Sequence, residues 1–370
     1  MTSPLIEPAY GDRSLSDVVP GIAVALGAAA SSASGLTLPD AQGYVVFLVD
    51  GMGEMLLRRY AHAAPFLSSL TGAHGTAGVP STTATSLTSL ATGLTPGEHG
   101  LVGYTARIPG TDRLLNHLSW DHGVDPLEWQ PHETAFSRLA SAGVHVTNVN
   151  RREFDGSGLT VAGQRGARFV GANKTGERIA EVVAAAGRAP SLTYVYEGDL
   201  DWTGHRHGVA SSAWLQQLAT VDHMCEQLRE SLPSSVRLVV VADHGMIDSP
   251  KERRIELDDD AELRAGVALL GGEARFRHLY LHPGAEADVV ATWRERLGER
   301  ATVLTRGEAI ARGWFGPVEG RVAPRLGDVM VACHDDTAIV STSRFPLENR
   351  LVGLHGSLTE DEMRIPILLA

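Results

Sequence analysis

Short runs rich in β-branched and aromatic residues recur along the chain, at residues 44–49, 145–149, 192–196, 236–242, 329–332 and 365–369. Helix-patterned stretches at 86–91, 134–142, 177–186 and 212–228 separate most of them. This alternation predicts an α/β fold with a mainly parallel sheet and helices on both faces, because parallel neighbours need crossovers that cover the sheet. Several runs are apolar almost without a break, as strands buried on both sides should be. At 370 residues, 43% of them hydrophobic, the chain can bury such a core and still carry a smaller unit.

That smaller unit is expected at 251–325, where charge density rises and elements shorten. The pattern there is helix-like at 260–270 and 286–297 and strand-like at 277–282 and 302–305. A cap inserted here leaves 1–250 and 326–370 as the core. A second insertion, 104–132, is irregular and holds Trp120 and Trp129. With Tyr104 and the cap these are expected to shape a pocket, although indole rings also serve to anchor a loop.

Composition excludes several functions. A net charge of -12 without a Lys/Arg block disfavours nucleic-acid polymers and leaves a small phosphate ester as the kind of anion the chain could hold. Cys225 and Cys333 are the only cysteines and lie far apart, so neither a disulfide framework nor a thiolate zinc site follows. Residues 18–30 resemble the apolar middle of an export signal, with cleavage near 29–34. However, Glu7, Asp12 and Asp17 precede them against a single Arg13, and an amphipathic helix capped by Ser14 or Ser16 fits equally well. No run is long enough to cross a bilayer, and a cytoplasmic location is expected.

Metal-ligand side chains gather where apolar runs stop. Asp50 follows the run 44–49 and precedes glycines that allow a sharp turn; Asp243-His244 ends the run 236–242. Asp201 and His205 are four apart, so one helical turn presents both to a single cation. Asp199, six before His205, would not share that face, and His207 reads as a local hydrogen-bonding residue. His355, beside Gly356, could be a surface loop histidine or a ligand. Carboxylate with imidazole suits zinc, with manganese as a competitor. Ser81, Thr82 and Thr83 open a helix expected to run from near Thr83 to Gly93, and spacing alone does not choose among their hydroxyls. A hydroxyl beside two cations points to phosphoryl or sulfuryl transfer.

In order and content, the segments VVFLVDGMG, VPSTTATSLTSLATGLTPGEHG, YEGDLDWTGHRHG, VVVADHGM and GLHGSLTEDEMRIPILLA resemble the alkaline phosphatase superfamily, within it the nucleotide pyrophosphatase/phosphodiesterase branch. The resemblance implies a three-layer α/β/α core with a cap and two divalent cations. Asp201, His205 and His355 would hold one; Asp50, Asp243 and His244, with Thr83, would hold the other. Aligning the family's Thr-Gly-Leu-x-Pro tail on residues 92–96 makes Thr83 the nucleophile, with Ser81 and Thr82 as fallbacks. Hydrolysis would pass through a covalent phospho-threonine.

Two departures bear on substrate. The family's Pro-Asn-His is replaced by Thr85-Ser86-Leu87, and its phosphoryl-binding asparagine falls at Tyr104, whose phenol can donate only one hydrogen bond. The sulfatase C/S-x-P-x-R and monoesterase Asp-Ser-Ala motifs are absent. The expected activity is therefore that of a phosphodiesterase or nucleotide pyrophosphatase. A phosphonate hydrolase or monoesterase is the enzymatic alternative, and a catalytically silent metal- or ligand-binding protein the non-enzymatic one.

Overall fold

In the computed structural model, residues 4–29, 35–120 and 123–370 are described; most of the suggested cleavage region 29–34 lies outside them. A seven-stranded sheet forms the centre. Its order is Thr71–Thr76, Arg364–Leu369, Val236–Ala242, Gly43–Val49, Ser191–Glu197, His145–Asn150 and Arg168–Gly171. Gly43–Val49 pairs in parallel with both of its neighbours, and only Arg364–Leu369 runs against the rest. Every residue of Gly43–Val49 is buried, which explains its uninterrupted apolar sequence.

Helices Thr175–Ala186 and Ser212–Ser231 pack together on one face, and Thr83–Thr92 with Ala135–Ser141 on the other. The apolar stretch near the beginning is a core element. Ser14 and Asp17 form a capping box before the helix Val18–Ala25, and Leu15, Val18, Val19 and Ile22 are fully buried. Among the described residues no helix is long and apolar enough to cross a membrane.

The second unit differs from expectation in two places. The run near 329 is a strand, Val329–Cys333, but it lies in a separate four-stranded antiparallel sheet between Phe276–Leu281 and Ala301–Thr305. The cap sheet thus extends past residue 325, and Ala338–Val340 still pairs with Arg254–Glu256. Helix pattern at 260–270 also gives way: only Ala261–Arg264 is helical, Gly266 turns at φ +78°, and Val267–Glu273 is a strand. Helix Glu286–Leu297 has the expected bounds and buries Trp293 against the cap's own apolar cluster.

Two buried arginines beside the cap hairpin hold it to the core. Arg275 donates to both oxygens of Glu362 (2.7 and 2.6 Å), and both side chains are fully buried; Arg277 pairs in the same way with Glu348. Glu362 also accepts from the Ser357 N–H and the Thr359 hydroxyl, so every lone-pair direction is used. Removing the acid leaves a buried guanidinium unpaired. Glu362→Ala is expected to lower unfolding free energy by about 3–5 kcal/mol in urea titrations; a loss below about 1 kcal/mol would contradict the clamp.

Candidate metal centre

Strand register makes the centre. Val49 is level with Glu197 on one side and Ala242 on the other, so three parallel strands end on one line. Asp50 and Asp243 follow directly, and the chain leaving Glu197 turns into helix Asp199–His207, which carries Asp201 and His205. This is the carboxyl edge of the sheet, where open α/β folds place ligands. Gly51 turns at φ +72°, and any Cβ there would sit 3.1 Å from Asp201. His355 arrives from a different direction: Gly353–Leu354 pairs with Ile247–Asp248, and Ser81 bridges Gly356.

All six expected ligands converge. His205 Nε2 is 3.3 Å from Asp201 Oδ2 and 3.2 Å from His355 Nε2, and His355 Nε2 is 3.8 Å from Asp201 Oδ1. His244 Nε2 lies 3.5 Å from Asp50 Oδ1 and 3.4 Å from Asp243 Oδ2. The imidazoles of His244 and His355 stack at 3.8 Å, joining the two groups. Asp199, by contrast, turns away to an ion pair with Arg151.

The donor set fits divalent cations on three counts. First, Asp50 Oδ1, Asp201 Oδ1 and Asp243 Oδ2 are buried without a hydrogen-bond partner, whereas Asp243 Oδ1 accepts from the Gly51 and His244 N–H groups. Second, each histidine can use Nδ1 to donate to a backbone carbonyl: His205 to Gly353 (2.8 Å), His244 to Gly245 (2.9 Å) and His355 to Ser81 (3.0 Å). That tautomer leaves every Nε2 lone pair facing the cluster, the outer arrangement that orients metal-bound imidazoles. Third, burial, then the neighbouring Asp243 and Asp201 charges, pushes the Asp50 carboxyl well above its usual range, and burial likewise raises Asp243. Burial and the adjacent His244 and His205 lower His355 well below the usual imidazole. Crowded carboxylates and imidazoles that resist protonation need positive charge without protons, which cations supply.

Of the three neighbouring hydroxyls, that of Thr83 faces the cluster. Its Oγ1 is 3.4 Å from Asp50 Oδ2 and 3.3 Å from His244 Nε2, at the first position of helix Thr83–Thr92, which Gly93 ends in the left-handed region. Ser81 donates instead to the Ser357 carbonyl at 2.6 Å, and the Thr82 hydroxyl interacts with Glu273. A cleft beside Thr83 is lined by Leu87, Leu118, Phe154, Leu159, Asn150 and Gln164, among others, with no Lys or Arg in its wall among the described residues.

Tyr104 lines another cleft, with Asn116, Phe345 and Glu348, while its N–H lies 3.4 Å from Glu273 Oε1. Trp129 does not shape the pocket: it is 4% exposed, and Arg325 lies over its ring at 3.7 Å, which makes it the loop's anchor. Trp120 lies against Gly158 and donates to the Val124 carbonyl.

Two side chains touching the site were not anticipated. Tyr196 donates to Asp50 Oδ2, and burial raises its phenol well above the usual value, so it remains a donor. Glu273, on the cap strand, lies 3.8 Å from His355 Nδ1 with its carboxyl pushed up to about 8 by burial. Tyr196 left a faint trace in the sequence, as the last aromatic of a strand that stops before Asp201. Glu273 left none.

Residues 44–358 match the type I phosphodiesterase / nucleotide pyrophosphatase family. The chain belongs to that family. Among solved structures, murine ectonucleotide pyrophosphatase/phosphodiesterase 5, as an inactive threonine-to-alanine variant with AMP, is 19% identical with a TM-score of 0.66, covering 88% of this chain and 87% of the other. The human protein of the same name is 17% identical with a TM-score of 0.65, covering 88% and 87%. Phosphonoacetate hydrolase from Sinorhizobium meliloti 1021, with phosphonoformate, is 18% identical with a TM-score of 0.66, covering 90% and 91%. No curated protein matches. At such identities the likeness establishes the fold alone.

Metal binding competes with protons on Asp50 and Asp243, whose carboxyls are already raised in the folded, metal-free protein. The stabilisation by zinc or manganese, read as the rise in Tm on adding metal, is therefore expected to be largest near about pH 8 and to shrink towards about pH 5. A gain independent of pH would count against carboxylate and imidazole ligands.

Proposed function

We propose that the protein is a two-metal hydrolase of phosphate esters, a phosphodiesterase or nucleotide pyrophosphatase that passes through a covalent phospho-threonine at Thr83. The carrying observation is the Thr83 hydroxyl within 3.4 Å of Asp50 and His244 at the edge of the six-residue cluster. Zinc is the favoured ion on the carboxylate and imidazole donors. The cytoplasm is the proposed compartment. Asp201, His205 and His355 on one side and Asp50, Asp243 and His244 on the other would hold the ions, which would supply Lewis-acid charge to the displacement.

The chain's own residues set the geometry. The Thr83 hydroxyl directs its proton towards Asp50 Oδ2, leaving a lone pair of Oγ1 for in-line attack on phosphorus. The Oγ1–P bond forms as the ester P–O bond breaks, and the leaving group departs with the displaced electron pair as an alkoxide, which takes a proton from water to become the alcohol. In the second step water attacks from the opposite side, breaks Oγ1–P and restores the threonine. N–H groups in the first turn of helix Thr83–Thr92 lack intrahelical acceptors and would be available to the oxygens of a phosphoryl group at Thr83. An inactive threonine-to-alanine variant among the structural neighbours lends support to the assignment of Thr83.

The wall of the cleft favours a diester over a phosphonate or monoester. Leu87, Leu118, Phe154 and Leu159 suit a flat organic arm, and no Lys or Arg offers a partner for additional negative charge. Tyr104, whose N–H donates to the Glu273 that lies against His355, is the candidate side-chain donor to a phosphoryl oxygen.

Thr83→Ala is expected to reduce turnover of a bis-aryl phosphate by at least about a thousandfold while two metals per chain remain by elemental analysis. Retained activity would move the nucleophile to Ser81 or Thr82, or out of the protein. With zinc-loaded wild type, the bis-aryl phosphate is expected to outpace an aryl phosphate and an aryl phosphonate. Faster monoester or phosphonate turnover would overturn the diesterase assignment, and no turnover of any ester would leave the silent metal-binding protein.

A further inference from the structure

Asp50 is held unevenly. Its Oδ1 is buried with no hydrogen-bond partner, 3.5 Å from His244 Nε2, while Oδ2 accepts from the Tyr196 hydroxyl and faces Thr83 Oγ1 at 3.4 Å. Tyr196 is level with Leu48 in the strand pairing, two residues before Asp50, so its ring emerges beside the carboxylate.

The position of that ring is built from several directions. Phe154 meets it edge-on with centroids 6.1 Å apart. Beneath it lies Gly198, where a Cβ would come within 2.8 Å of the phenolic oxygen and 2.9 Å of Cε1. Gly198 has φ -103°, open to any residue, so its lack of a side chain answers to the ring and not to backbone conformation. Arg178 donates to the Tyr196 carbonyl at 3.1 Å and forms a buried ion pair with Glu197 at 2.5 Å, pinning the strand end.

We infer that Tyr196 is a positioning residue: its hydroxyl occupies Asp50 Oδ2 and so turns Oδ1 towards the cation held with Asp243 and His244, and Gly198 is the space this lock requires. The inference rests on the two-metal reading above. Outer partners of ligating carboxylates typically change metal affinity or activity by about 10–100-fold.

The deciding measurement is metal affinity by chelator competition, with zinc and separately with cobalt, on protein whose folding is checked by circular dichroism. Tyr196→Phe is expected to weaken one of the two sites by about 10–100-fold and to alter the visible cobalt spectrum of that site, leaving the other site as internal reference. Gly198→Ala keeps the phenol but displaces it, and is expected to weaken the same site; it carries the test should Tyr196→Phe not fold. Wild-type affinity at both sites in either folded variant, or equal loss at both, overturns the inference. Two metals bound without hydrolysis of any ester would refute the hydrolase reading and leave this inference standing. Full hydrolysis with unaltered affinities in Tyr196→Phe would do the reverse.

Discussion

Three carboxylates, Asp50, Asp201 and Asp243, are brought together at the end of a buried sheet, and the folded chain must answer the charge this concentrates. Protonation is one answer, and the raised carboxyls of Asp50 and Asp243 show the direction in which the bare cluster is driven. Divalent cations are the other, and the surroundings are arranged for them: unpartnered oxygens point inward, and imidazoles have carbonyls behind them. Like charges, two of them buried and the third largely so, would otherwise work against the fold. This edge of the sheet is thus a region of electrostatic strain that bound cations would relieve.

Much of this was legible because three of the four patches sit at strand or helix positions with simple periodicity. Asp50 and Asp243 stop nearly unbroken apolar runs, and equal register of parallel strands turns two chain-distant stops into neighbours. Asp201 and His205 share a helix face by spacing alone. His355 was not legible in this way. It reaches the cluster through a two-residue pairing with Ile247–Asp248, too short to leave a pattern, so the residues alone left it open between ligand and surface histidine and the family resemblance favoured the ligand. Likewise, the choice among Ser81, Thr82 and Thr83 depends on partners at 357 and 273 that no local rule connects to them.

The misread elements share a cause. A run of β-branched residues at Val329–Cys333 says strand and not which sheet, because pairing partners are chosen by tertiary packing. Residues 267–270 look helical by composition, yet Gly266 in the left-handed region ends the helix and pairing with Phe276–Leu281 takes over. Trp129, expected from its position in the 104–132 insertion to shape a pocket or to anchor the loop, does the latter with its buried ring under Arg325.

The cap is more than a lid placed over a finished site. Its strand Val267–Glu273 ends in Glu273, which reaches Thr82 and His355, and the next turn carries Arg275 into Glu362. Glu362 in turn accepts from Ser357, two residues after His355, and its carbonyl accepts from Gly245 beside His244. One buried ion pair therefore ties the cap to the two segments that present His244 and His355 to the cluster. Movement of the cap as a rigid lid would break that pair in a region shielded from water, where a lone guanidinium is strongly unfavourable. Access to Thr83 is accordingly expected through the cleft lined by Leu118 and Phe154, whose wall includes neither partner of the clamp, with the cap held in place.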